Sequence, residues 1–306
     1  SIRSAGTNDV PITAGGDLRL LAGTGDIVGN AATGTPLVVQ VTGTLTSANA
    51  GGNVRLEQHA GDLRFDRIVG GVEVQLRIPA GGLYQRTAGT GIQGDELSIE
   101  VDGAVGTPSE FVEILLDSAG ELRIAAPDGV FLRSTASTHI ALVSSEIADV
   151  TLEVQGDAWV DQIEITAPEG TTPTGIVSLF TDRGIYDRRD AAVTPQPDAL
   201  SNIDAPFAVL NARTGLGTEG NLFETRLTRL EASSLFGDIW LQNFGDLEIG
   251  KISEQVGIQA HGTAHLFLAS TLSIDEPIAA EGGDLDLRAS EGILVNVDLE
   301  NAGGSI

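Results

Sequence analysis

Short runs of alternating apolar and polar residues recur along the whole chain, each introduced by a glycine. Leu18 and Leu20, Ile239 and Leu241, Leu247 and Ile249, and Leu285 and Leu287 are such pairs, separated by Arg19, Trp240, Glu248 and Asp286. A period of two means strands with one buried and one mostly wet face. Each run is four to six residues long, so a strand and a turn follow every eight to ten residues. The turn mark is Gly-Asp, at 16, 25, 61, 94, 156, 237, 245 and 283, where random order of the same residues predicts roughly three. Glycine supplies positive φ and aspartate caps or tolerates tight turns, so the pair reads as a corner ahead of a strand.

One segment reads against this pattern. Leu222 to Phe236 places Leu227 and Leu230 at helical spacing among good helix formers. Internal comparison decides for strands. Val28 to Ile68 aligns with Leu216 to Ile252, placing Leu37 on Leu222, Leu45 on Leu230, Gly52 on Gly237, Gly61 on Gly245 and Ile68 on Ile252. The first copy is rich in β-branched residues and carries Gly43 mid-run, which disfavours helix. A weaker third copy begins at Val105. The copies open at unequal spacings, whereas a propeller needs a fixed blade length. The pattern therefore predicts an all-β parallel β-solenoid whose Gly-Asp turns stack as corners. Inward positions should include Leu18, Leu20, Val54, Leu56, Ile239, Leu241, Leu285 and Leu287. Residues 1–306 read as one solenoid repeat domain, interrupted by a loop insertion near 180–206 that is rich in proline and charge.

The segment from Gly215 to Gly250, and "SLFTDRGIYDRRDAAVTPQPDALSNIDAPFAVLNARTG" before it, resemble repeats of the filamentous-haemagglutinin-like large exoproteins of Gram-negative bacteria. Those repeats run glycine-rich turn, G-T-x-x-x-x-L, a T-L-x-A strand, then G-D-I-x-L. The resemblance spans nearly the whole chain and its motifs are structural. It implies a right-handed parallel β-helix in a long, secreted, surface-displayed adhesin or fibre, and transfers no catalytic residue. Sparse Asn and Gln ladders and the 180–205 insertion depart from the family.

Composition narrows the partners. Acidic residues number 43 against 17 basic, a net charge of −26 with Lys251 as the single lysine. Such a surface repels nucleic-acid phosphates and anionic lipid. Cysteine is absent, which removes disulfides, thiolate metal sites and cysteine nucleophiles. No run of eighteen apolar residues occurs, so no membrane insertion by a helix is expected. Methionine is absent too and position 1 is Ser1, so a mature product or a piece of a longer protein is expected.

Candidate chemistry is thin. Asp182, Asp187 and Asp190 with Arg183, Arg188 and Arg189 form the densest charged cluster. Clustered Asp and basic residues could cleave an acidic glycan, but Pro195, Pro197 and Pro206 favour a solvated loop with internal ion pairs. His261 and His265 have the i,i+4 spacing that binds zinc on a helix, and Gly262 argues for a β corner where they do not converge. The stretches from Gly282 and from Ala22 hold fragments of a calcium-binding nonapeptide without its tandem, so weak Ca²⁺ binding is the most they allow. "GTGDIVG" has no helix behind it to hold a phosphate. Trp159, Trp240, Tyr84 and Tyr186 could meet sugars, and Trp240 stands at the outward phase between Ile239 and Leu241. No catalytic, cofactor or metal residue is assigned. The expected function is a non-enzymatic extracellular or bacterial cell-surface module, a rigid rod that displays surfaces to a cell-surface or matrix glycan or protein. The alternatives are a polysaccharide-binding or polysaccharide-cleaving β-helix and a subunit that self-associates end to end into a filament.

Overall fold

A computed structural model of the chain describes residues 12–30, 33–89, 91–117, 120–189, 200–297, 299–302 and 304–305. Among them are strands and turns and no helix. The strands pair in parallel, coil on coil, which makes the fold a β-solenoid. Contacts divide the chain into two compact units: Ser1–His139 with Val143–Glu146, and Ile140–Leu142 with Ile147–Ile306.

In the first unit Leu37, Leu56, Leu76, Ile99 and Ile124 form one inward column and are all buried. In the second, Leu179, Leu210, Ala232, Ile258 and Ile278 do the same. The steps between column members are unequal, because turns, not strands, absorb the differences in coil length. Of the inward positions read from sequence, Leu20, Val54, Leu56, Ile239, Leu241 and Leu285 are buried, while Leu18 and Leu287 are half-buried. Leu222–Phe236 is β, with strands Phe223–Arg226 and Arg229–Ser234. Each of the three sequence copies opens with a small excursion closed by an antiparallel bridge: Asn30 to Thr35, Thr107 to Glu110 and Thr218 to Asn221.

The Gly-Asp corners have a specific task. Seven of the eight aspartates accept, through Oδ1, a backbone N–H from the matching corner one coil later. The pairs are Asp17 with Thr44, Asp26 with Asn53, Asp62 with Gly82, Asp157 with Gly184, Asp238 with Thr263, Asp246 with Thr271 and Asp284 with Ser305, at 2.7–3.1 Å. The exception is Asp95, whose main-chain N–H donates to the Val72 carbonyl. A corner amide of a parallel stack has no strand partner, and the carboxylate supplies one. In five of the seven clips a glycine before the donating amide makes room for the carboxylate. At Gly262 an added Cβ would lie 2.0 Å from the Asp238 Oδ1.

The alignment of Ile68 with Ile252 does not hold. Strand Ile68–Gly70 pairs through Ile68 with Ala48, but its counterpart is Ile258–Ala260, paired through Ile258 with Ala232. Residues 251–257 are an inserted loop that folds over Glu231. This carboxylate is fully buried and accepts the N–H of Ile252 (2.6 Å), the N–H of Ser253 (3.0 Å) and the Ser253 hydroxyl. Hydrogen bonds to a buried charge are worth about 1.5–3 kcal/mol. Glu231→Ala should therefore release the loop, and limited trypsin digestion should cut after Lys251 in the variant well before it does so in the parent protein.

Lys251 also closes this loop onto the next coil. Its ammonium donates to Asp275 and, at 3.3 Å, to Glu248. The Lys251 hydrogen bond, aided by one from Asn296, pulls the Asp275 carboxyl down to about 2 from its ordinary 3.8. A folded-state value below the unfolded one means that this pair's stabilisation is present above pH ~4 and fades as pH falls toward 2. In Lys251→Met the Asp275 carboxyl, followed by NMR titration, should move up toward 3.8.

Candidate binding surface

The structure separates the charged cluster read from the sequence. Strands Ile176–Thr181 and Gly184–Asp187 continue the coil, so the insertion starts only after Asp187, later than the 180–206 reading. Asp182 and Arg183 are exposed on a corner, with Arg183 3.9 Å from Asp157. Asp187 is 1% exposed at the foot of the insertion. Its Oδ1 accepts from Asn202 Nδ2 (2.6 Å) and from the Arg189 N–H (3.1 Å). Arg189 donates to the Leu200 carbonyl at 2.7 Å and reaches to 3.9 Å from the buried Glu224. The fixed inward direction of Asp187 and the outward corner of Asp182 keep the two carboxylates from converging. Arg188 is exposed; Asp190, Pro195 and Pro197 lie outside the described residues.

The aromatic residues come together instead, on the outward face of one sheet in the second unit. Trp159 pairs in register with Tyr186, and Trp240 with His265 and then Asp286. Pairing of Ile185 with Leu216 and of Leu216 with Ile239 puts Tyr186 and Trp240 in the same column, either side of one coil. That coil leaves the sheet at Gly217 to form the Thr218–Asn221 excursion. The Trp159 and Tyr186 rings lie 4.9 Å apart at 35°, Trp240 and His265 4.8 Å apart at 25°, and His265 and Phe267 5.4 Å apart at 21°. In the adjacent column stand Glu224, Gln242, Phe267 and Arg288. Tyr84 belongs to the other unit, where the Arg64 guanidinium covers its ring at 5.8 Å.

The two histidines do not share a ligand. His261 sits at a corner with Nδ1 3.1 Å from Glu281, and His265 lies within strand Ala264–Leu268 with Nδ1 3.0 Å from Asp286. Among the described residues no group of three or more His, Cys, Asp or Glu side chains is placed to hold a metal. Burial pushes the His265 imidazole below its ordinary value, with the Asp286 charge pulling the other way. A neutral imidazole stacks as an aromatic ring, which is how His265 is used. Asp286 and Arg288 satisfy each other through two hydrogen bonds of 2.9 and 2.7 Å, and the guanidinium also lies 5.4 Å from the Phe267 ring. Among the described residues nothing hydrogen-bonds the indole N–H of Trp159 or Trp240, the Tyr186 hydroxyl or the Gln242 amide.

Sequence reading singled out Trp240 correctly as outward. It missed Phe267 and put His265 at a corner with His261, whereas His265 lies within strand Ala264–Leu268, because the neighbour of each ring lies one coil away at an unknown spacing. Comparison of the chain with family models, with curated proteins and with solved structures finds no match.

Proposed function

We propose that this chain is a non-enzymatic structural or adhesion module of a secreted bacterial surface protein, a rigid β-helical rod of the filamentous-haemagglutinin-like kind that presents binding surfaces to cells or matrix. One observation carries the reading. Core columns and corner aspartates are spent on holding coil to coil, while a row of stacked aromatic side chains is left facing outward on one sheet. Rigidity and display are what such a stack supplies. Beads coated with the native protein should adhere to cells or to extracellular matrix, and beads coated with heat-unfolded protein should not. Equal adhesion of both would count against the reading. Release of reducing ends or unsaturated products from acidic polysaccharides, lost in Asp187→Asn, would replace it with an enzyme.

A second reading rests on strand Gly292–Val295. Among the described residues it pairs with Thr271–Ile274 alone; Ile293 and Val295 are 42 and 46% exposed although the Leu272 and Ile274 they stack on are fully buried, and Leu294, on Ser273, is 56% exposed. A strand edge with bare apolar residues favours pairing with a further strand, from more of the same chain or from a second copy. Salt screens the repulsion between two bodies of charge −26. Sedimentation should therefore show self-association that strengthens with ionic strength; a monomer at every salt concentration removes this reading.

A further inference from the structure

The aromatic row on the second unit has a chemical preference of its own. Trp240, His265 and Phe267 stack at 21–25° and Trp159 lies over Tyr186 at 35°, so neighbours occupy much of the ring faces and leave the ring edges the more open to a ligand. The edge of an aromatic ring carries the positive part of its quadrupole. Here the edges also hold the unspent N–H groups of Trp159 and Trp240 and the Tyr186 hydroxyl, donors that seek oxygen acceptors. Gln242, beside Trp240 on strand Ile239–Asn243, adds an amide with both a donor and an acceptor end. The excursion Thr218–Asn221 forms a polar lip, with Thr218 and Glu219 exposed and Asn221 tied to the Asp187 carbonyl at 3.1 Å.

Two fields act on anything that approaches. Close in, ring edges and N–H groups attract electron-rich oxygen. Further out, a protein of charge −26 repels anions. A ligand that satisfies both is dense in oxygen and carries no negative charge. Asp286 and Arg288 pair with each other, and Glu219 on the lip is an exposed carboxylate that adds to the repulsion of anions. Coils rise about 4.8 Å each, close to the length of one sugar in an extended polysaccharide. Successive sugars would meet successive coils.

We propose that the strip Trp159–Tyr186 and Trp240–His265–Phe267 binds a neutral or amino-sugar polysaccharide laid along the stack of coils. This names the ligand class of the adhesion reading and rests on it. Both tryptophans of the chain lie in the strip, so its intrinsic fluorescence reports occupancy directly. The test is a fluorescence titration, with affinity electrophoresis, against a neutral β-glucan, a galactomannan, chitosan oligosaccharides and, as acidic comparators, alginate and heparin. A neutral or amino-sugar polymer should shift the fluorescence and retard the protein. Trp240→Ala with Phe267→Ala should weaken binding by about tenfold or more. Gln242→Ala, a surface change that leaves the rings in place, should weaken it several-fold, and Tyr84→Ala on the other unit should leave it unchanged. No binding to any neutral or amino-sugar polymer, binding to the acidic polymers alone, or binding that ignores both strip variants overturns the proposal. Beads carrying the Trp240→Ala, Phe267→Ala variant separate the two readings. If they still adhere to cells, adhesion stands and the strip is not its site. If parent beads never adhere, the adhesion reading fails, while the titration still decides the strip.

Discussion

Replacing Phe223 by alanine should cost the second unit about 3–5 kcal/mol of stability, the usual loss when a buried ring is removed. Phe223 is fully buried and among the largest such side chains in the protein. It stacks in register on Leu241, which stacks on Leu266, so the cavity would open in the middle of a column whose members cannot close the gap without shifting a strand. A solenoid transmits such damage mainly to neighbouring coils. Amide exchange should therefore speed up most in strands Ile203–Asp204 and Ile239–Asn243, which flank strand Phe223–Arg226. Phe236→Ala makes a fair control. That ring is 57% exposed, and its loss should change stability by no more than about 0.5 kcal/mol. Equal effects of the two substitutions in denaturant unfolding would contradict this arrangement of the core.

Gly217→Ala should be nearly as damaging although it adds a single methyl group. Gly217 has φ of +65°, in the left-handed region that side chains avoid. An added Cβ would also lie 2.2 Å from the Trp240 carbonyl oxygen and 2.9 Å from the Phe223 nitrogen, both main-chain atoms that cannot rotate away. Strain and overpacking together should amount to about 2–4 kcal/mol. The same glycine lets the chain leave the sheet between Tyr186 and Trp240. The variant should thus also alter tryptophan fluorescence in the native state, before any unfolding. A stable variant with the parent spectrum would show that the coil at Leu216 is not tied to Trp240 in this way.

How much of this could be read in the sequence depends on distance along the chain. Alternation and Gly-Asp corners are local signals, and they placed most of the strands; Phe223–Arg226 and Arg229–Ser234, where helical spacing competed, needed the comparison of copies. Comparison of copies placed Leu45 on Leu230, Gly52 on Gly237 and Gly61 on Gly245 correctly, was one residue out at Leu222, where Phe223 holds the inward place of Leu37, and failed at Ile252, where six extra residues loop over Glu231. A buried glutamate inside a strand looks like any outward polar residue until its covering loop is known. The binding strip is harder still. Trp240 meets His265 and Trp159 meets Tyr186 only because turns set coil lengths that no fixed repeat dictates. The inward phase of Asp187 was written in the alternation of strand Gly184–Asp187, but the neighbouring Asp182 and Arg183 concealed it within a single charged cluster.

The corner aspartates carry an arrow. In every clip the carboxylate belongs to the earlier coil and the amide to the later one, from Asp17 with Thr44 to Asp284 with Ser305. A finished coil therefore holds out acceptors already in place for the chain that follows it, whereas a coil formed first at the far end offers only amides in need of them. At these corners, then, winding from the amino end toward the carboxyl end meets acceptors already in place. A polypeptide delivered amino end first can be wound up as it arrives, each turn serving as the mould for the next.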